Sequence, residues 1–241
     1  MRMPSDRSAG GDERLYRTYV YPFVLFLCFN LLLALAREGL QWEHPSAPWW
    51  QREPALLLYP LQTLVCAFYL WHVRRDIRWD GTWRSCLLGG LLGMVGIAFW
   101  MLPYFAGWVP REGGWAPELI LGHGSAATLA EYAFRFARAV LVVPLVEELF
   151  WRGFLMRWCI NRDFPQEVPL GTPGWLSYGV TTLAFMLVHV PADYAGAFLY
   201  GTLAYLLVVR TKRLMPVIVM HAVANLAMGI CAVSCDLPHL W

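Results

Sequence analysis

The sequence predicts an all-α fold, a polytopic transmembrane helical bundle of about seven or eight spans. Three observations carry this. First, 58% of the 241 residues are hydrophobic and only 15% are charged, with a mean hydropathy of +0.45, whereas a soluble domain carries about 25% charged residues. Second, the apolar residues arrive in long runs. Residues 18–36, "TYVYPFVLFLCFNLLLALA", hold no charge over nineteen positions, enough to cross a hydrocarbon core of roughly 30 Å at about 1.5 Å per residue. Third, the basic residues are distributed with one sign of asymmetry. With the N-terminus in the cytoplasm, fourteen fall inside (Arg2, Arg7, Arg14, Arg17, Arg74, Arg75, Arg78, Arg84, Arg152, Arg157, Arg162, Arg210, Lys212 and Arg213). Only Arg37, Arg52 and Arg111 fall outside, and Arg135 and Arg138 are left uncounted near the start of a span. That is a strong positive-inside signal.

Taken in order, residues 1–17 form a polar N-terminal segment with Gly and Pro, expected to be disordered or to lie on the membrane surface. The remainder, 18–241, reads as a single transmembrane domain. The first span, 18–36, imitates a signal peptide through Arg14, Arg17 and the Ala34–Leu35–Ala36 triplet, but its apolar run is longer than the usual h-region and six more spans follow. It is read as a retained helix. Further spans are expected at about 54–73, 86–110, 137–160, 175–190, 195–209 and 214–232, with an eighth if 117–134 forms its own span or a re-entrant piece. Trp42, Trp49, Trp50, Trp108 and Trp115 suit the aromatic belt at the membrane interface. Gly89 and Gly93, in "GGLLGMVG", form a GxxxG pattern that is expected to serve close packing inside the bundle rather than dimerisation. The six cysteines contain no CxxC and suggest no disulfide framework; Cys231 and Cys235 are an i, i+4 pair whose disulfide is not favoured.

Polar residues inside these spans need a reason, because a carboxylate in a membrane span is costly and marks a functional site by default. In "VPLVEELFWRGFLMR" (143–157), Glu148 and Arg152 are i, i+4 and share a helix face. Glu147 points about 100° away. Read alone, this is as consistent with a buried ion pair and a solvated glutamate as with a site. Two later helices shift the balance: "TLAFMLVHVP" carries His189 four positions after Phe185, and "MPVIVMHAVANLAMG" carries His221 and Asn225 on one face. Counting about 1.5 Å per residue from the expected helix ends puts Glu147, His189 and Asn225 in one layer near the middle of the membrane.

Together "EELFWRG", "FMLVH" and "HAVAN" fit EExxxR, FxxxH and HxxxN, and over about 137–232 the chain resembles the CPBP (CAAX protease and bacteriocin-processing, or Abi) family of intramembrane endopeptidases, among them the type II CAAX prenyl endopeptidases. The motif spacing and chain length are also similar to the CAAX-protease-related proteins that accompany bacterial exosortase systems. The resemblance implies that Glu147 activates water and His189 helps to hold it, that Glu148 and Arg152 form a supporting pair, and that His221 and Asn225 donate to the oxyanion. Peptide hydrolysis needs such a base and such donors. Phe185 and the bulky Trp151, which departs from the pattern just before the motif Arg, are expected to shape substrate binding.

The cofactor remains open at this point. Two histidines and a glutamate resemble a catalytic zinc set, but no HExxH occurs and the family is also explained as metal-independent, the reading favoured here. The expected partners are the lipid bilayer and a membrane-anchored peptide or protein substrate, with no nucleic acid. The expected location is a bacterial inner membrane, since 18 of 19 basic residues are Arg, a bias of GC-rich genomes. Against the intramembrane protease stand a non-catalytic scaffold or immunity factor of the same fold and a proton-relaying transporter; the latter would favour repeated halves, which the sequence does not show.

Overall fold

The computed structural model describes residues 13–108 and 114–240, and they form a helical bundle. Residues 1–12 and Arg111 of the sequence reading lie outside the described residues. The principal helices are α1 (Tyr21–Gly39), α2 (Ala55–Val73) and α3 (Trp83–Phe105), followed by one long composite helix over 126–158, then α7 (Trp175–Leu187), α8 (Tyr194–Thr211) and α9 (Met215–Ser234). The composite helix runs through α4 (Ala126–Ala137), a π-helical stretch (Arg138–Val142), α5 (Val143–Glu148), a second π stretch (Leu149–Leu155) and α6 (Met156–Trp158). Among the described residues five helices are long and apolar enough to cross a membrane: α1, α2, α3, α8 with the turn before it, and α9. The composite helix, about 50 Å at 1.5 Å per residue, carries the charged motif residues, and α7 is a shorter apolar helix. The stretch 117–134 is not a separate span. It contains a one-turn helix, Glu118–Leu121, and the first turns of the composite helix.

Local sequence sets the helix ends. Thr82 caps α3 and forms a reciprocal box with Ser85. Ser125 accepts from the Thr128 amide at 3.1 Å to start the composite helix. Residues 13–17, placed in the polar terminal segment by sequence, belong to a helical stretch over 13–19. Arg14 and Arg17 there each reach Asp76, beyond the end of α2, at 2.8 Å. Asp76 lies outside the spans; partial burial raises its carboxyl, and the two guanidiniums together more than offset this, so it stays below the ordinary aspartate value.

The tightest helix pair is α3 with α9, and glycine makes it so. A Cβ on Gly89 would lie 2.1 Å from the Pro216 carbonyl oxygen, and one on Gly93 would lie 2.3 Å from that of Met220. The GxxxG pattern therefore serves packing within the bundle. Around this seam the core gathers Ile97, Val146, Leu149, Phe185, Ala204 and Met220, while Phe68, Leu64, Leu91 and Leu31 project outward from the spans, as lipid-facing side chains do. Four of the belt tryptophans, Trp42, Trp49, Trp50 and Trp108, are exposed. Trp115 differs. It is only 7% exposed, with the Arg135 guanidinium 4.8 Å from its ring and the Tyr132 ring 5.2 Å away. All six cysteines are free thiols.

Gly93→Ala drives a methyl group into backbone and cannot be absorbed by a rotamer change. It is expected to cost about 1–3 kcal/mol, seen as a fall of several degrees in the thermal midpoint of the purified protein in detergent, whereas Gly179→Ala, with open space at that position, is expected to leave the midpoint unchanged.

Candidate active site

Glu148 is fully buried, at 0% exposure, and Arg152 is 2% exposed. Arg152 Nη1 lies 3.1 Å from Glu148 Oε2 and donates to Oε1 at 3.3 Å. The same Oε1 accepts from His221 Nδ1 at 2.9 Å. Arg152 also stands over the Phe185 ring at 5.0 Å and directs Nη2 towards the Gly201 carbonyl at 3.5 Å. One carboxylate thus ties the composite helix to α9, and its arginine ties it to α7 and α8. With Nδ1–H given to Glu148, the remaining ring nitrogen of His221 accepts when the ring is neutral and donates only when the ring is protonated.

Asn225 is held by a backbone argument. The Arg138–Val142 stretch has π register, with the Val143 amide bonded to the Arg138 carbonyl. In that register the Ala139 carbonyl would take its hydrogen bond from residue 144, which is Pro144 and has no N–H. The orphan carbonyl is satisfied instead by Asn225 Nδ2, at 2.8 Å. One of the two amide hydrogens of Asn225 is committed in this way, and the other is left for the cavity it borders.

His189 lies just beyond α7 rather than within it. The helix ends at Leu187, and His189 Nδ1 donates to the Phe185 carbonyl at 2.7 Å, capping a terminal carbonyl that would otherwise lack a partner. This fixes Nε2 as the acceptor nitrogen. At about 20 Å, α7 is shorter than the hydrocarbon core, and the irregular turn that follows it is covered by protein. Trp100 covers it: its ring meets His189 edge-on at 5.0 Å and its Nε1 donates to Asp193 Oδ1 at 2.9 Å.

His189, His221 and Asn225 line one cavity together with Ile97, Trp100, Phe185, Tyr200 and Ala224. About 60 Å³ of it is open to water, room for a few water molecules but below the several hundred Å³ of a pocket that holds a whole ligand. Glu147 is half-buried, one of its oxygens, Oε2, is fully buried without a hydrogen-bond partner, and its charge acts on His189, Tyr200 and Arg138. Of the expected layer of Glu147, His189 and Asn225, the last two share the cavity wall, and Glu147 is not among its lining residues. Phe185 is a wall of the cavity. Trp151 stands behind that wall, 3% exposed, with its ring 5.2 Å from Phe23 and 6.1 Å from Phe185, so its influence on the cavity passes through Phe185.

Two features were not read from sequence. Arg138 Nε donates to Gln62 Oε1 at 2.6 Å, and Gln62 in turn donates to the Phe26 carbonyl at 2.9 Å and to Asn30 Oδ1 at 3.0 Å, a network that ties α1 and α2 to the composite helix. The second is Tyr200, an aromatic residue of α8 that sequence gave no reason to separate from its apolar neighbours.

A zinc set does not form among these residues. Among the described residues no three of His, Cys, Asp or Glu come close enough to hold an ion. Glu148 is taken by Arg152 and His221, and each histidine commits one nitrogen within the protein. No step through a metal follows from this donor set.

The motif residues of three helices thus gather buried polar groups around one small cavity. Residues 129–227 carry an Rce1-like domain, matching the family described as "Type II CAAX prenyl endopeptidase Rce1-like". No curated protein and no solved structure matches the chain. The matched segment contains the EExxxR, FxxxH and HxxxN residues and most of the cavity wall; Ile97 and Trp100 of α3 lie outside it.

Removing one partner of the buried pair leaves the other uncompensated. Arg152→Met is expected to lower stability by about 3–5 kcal/mol. The double change Glu148→Gln with Arg152→Met is expected to recover much of that loss, a coupling that a double-mutant cycle of unfolding midpoints in detergent measures.

Proposed function

We propose that the protein is an intramembrane endopeptidase that hydrolyses a peptide bond in a membrane-anchored substrate with a prenylated or lipid-proximal end. The supporting observation is the meeting of His189, His221 and Asn225 at one small cavity, with the unpartnered Glu147 carboxylate acting on it, inside an Rce1-like domain. Apolar helices and that domain define an integral membrane protein. We assign it to a bacterial inner membrane with a cytoplasmic N-terminus, on the distribution of its basic residues.

In this reading a water molecule sits between Glu147 and His189 Nε2. Glu147 takes one proton from it as the oxygen attacks the scissile carbonyl carbon. The carbonyl oxygen becomes an oxyanion and is met by the free Asn225 N–H and by protonated His221. Glu147 then passes its proton to the departing amine as the C–N bond breaks. Glu148 takes no proton. It holds His221 in the orientation that the oxyanion needs, and Arg152 holds Glu148. The cavity admits water and a carbonyl group but not a peptide chain, so the substrate backbone approaches along the cavity mouth rather than filling it.

The test uses the full chain in liposomes with a farnesylated CAAX-type tetrapeptide and a library of membrane-anchored peptides. Glu147→Gln is expected to abolish cleavage and His189→Ala to reduce it by about 10²–10⁴-fold, the usual contribution of acid–base groups, with both proteins folded. A strong chelator is expected to leave wild-type cleavage unchanged; loss restored by zinc would assign a metal instead. Full biological activity of Glu147→Gln would return the protein to the scaffold class.

A further inference from the structure

Among the described residues lining the cavity, Tyr200 carries a fully buried polar atom, its hydroxyl, with no partner in the protein. The residue is 2% exposed. Its ring is fixed on every side. It stacks on Phe185 at 6.0 Å and meets Trp100 at 6.0 Å and His221 at 5.8 Å. On α3 the absence of a side chain at Gly96 makes room for it, since a Cβ there would lie 2.8 Å from the Tyr200 ring. The residue lines the same cavity as His189, His221 and Asn225, and its phenol lies within electrostatic range of Glu148, Arg152 and Glu147.

The donors available to the cavity show what such a hydroxyl could serve. His221 has given Nδ1–H to Glu148 and donates again only when protonated. Asn225 has given one hydrogen to Ala139. His189 offers an acceptor. The cavity is thus well supplied with groups that grip the hydrogens of water and poorly supplied with donors for a carbonyl oxygen. A phenol is a neutral donor at ordinary pH, and a rigid one costs no reorganisation when charge develops.

We propose that the Tyr200 hydroxyl is a further catalytic group, donating a hydrogen bond to the oxyanion of the tetrahedral intermediate beside His221 and Asn225 and keeping its own proton throughout. This rests on the protease reading above. The test compares wild type, Tyr200→Phe and Glu147→Gln, each as the full chain in liposomes, on whichever members of the membrane-anchored peptide library wild type cleaves. Tyr200→Phe keeps the ring and all of its stacking. It is expected to lower kcat by about 10–100-fold, somewhat less than loss of a sole oxyanion donor, with KM within about twofold of wild type and an unchanged thermal midpoint. Wild-type kcat in Tyr200→Phe, alongside loss of cleavage in Glu147→Gln, would overturn the proposal and leave the protease intact. A fall in kcat accompanied by a lower midpoint would also overturn it, by making the hydroxyl a structural group. Wild-type cleavage by Glu147→Gln, or no cleavage by any form, would remove the protease reading and this inference with it.

Discussion

The Glu148 carboxylate is the contact on which the rest of the arrangement depends. A charge with no solvent access is tolerated only when it is paired and hydrogen-bonded, and its two partners come from different parts of the bundle. Arg152 is supplied four residues along the same helix, and His221 arrives from α9. The pairing therefore does more than neutralise a charge. It fixes the rotation of the composite helix, and with Glu148 fully buried its neighbour Glu147 is left half-buried on another side of the helix. Adjacent carboxylates on one helix acquire different environments because the helix places them about 100° apart.

The second constraint is backbone rather than charge. The composite helix departs from α-register on both sides of Val143–Glu148. Pro144 leaves a carbonyl unpaired, and Asn225 supplies the missing donor. Such π segments recur at functional sites because they free groups that a regular helix would consume. Here the freed carbonyl anchors a side chain of α9, and the anchoring orients the rest of that side chain at the cavity.

Much of this was legible in the sequence, and for a physical reason. Charged and imidazole groups stand out against apolar runs, i, i+4 spacing reports a shared face, and rise per residue reports depth. These three facts brought Glu147, Glu148, Arg152, His189, His221 and Asn225 to one region. Tyr200 was not legible, since a tyrosine in an apolar helix looks the same whether it faces lipid or a cavity. The Arg138–Gln62–Asn30 network spans three helices and leaves no local pattern. Trp115 fitted an interfacial belt by its position in a Trp- and Gly-rich loop, but its contacts with Arg135 and Tyr132 bury it. The early end of α7 was hidden because Val188, His189 and Val190 read as the continuation of an apolar helix up to Pro191.

The seam between α3 and α9 also bears on how such a centre is inherited. The segment recognisable as Rce1-like begins at 129, yet its last helix lies backbone to backbone on Gly89 and Gly93, and α3 supplies Trp100 and Ile97 to the cavity. The recognisable half is thus not a cassette that could be transplanted alone. Moved into another bundle, it would need the small residues of α3 to travel with it.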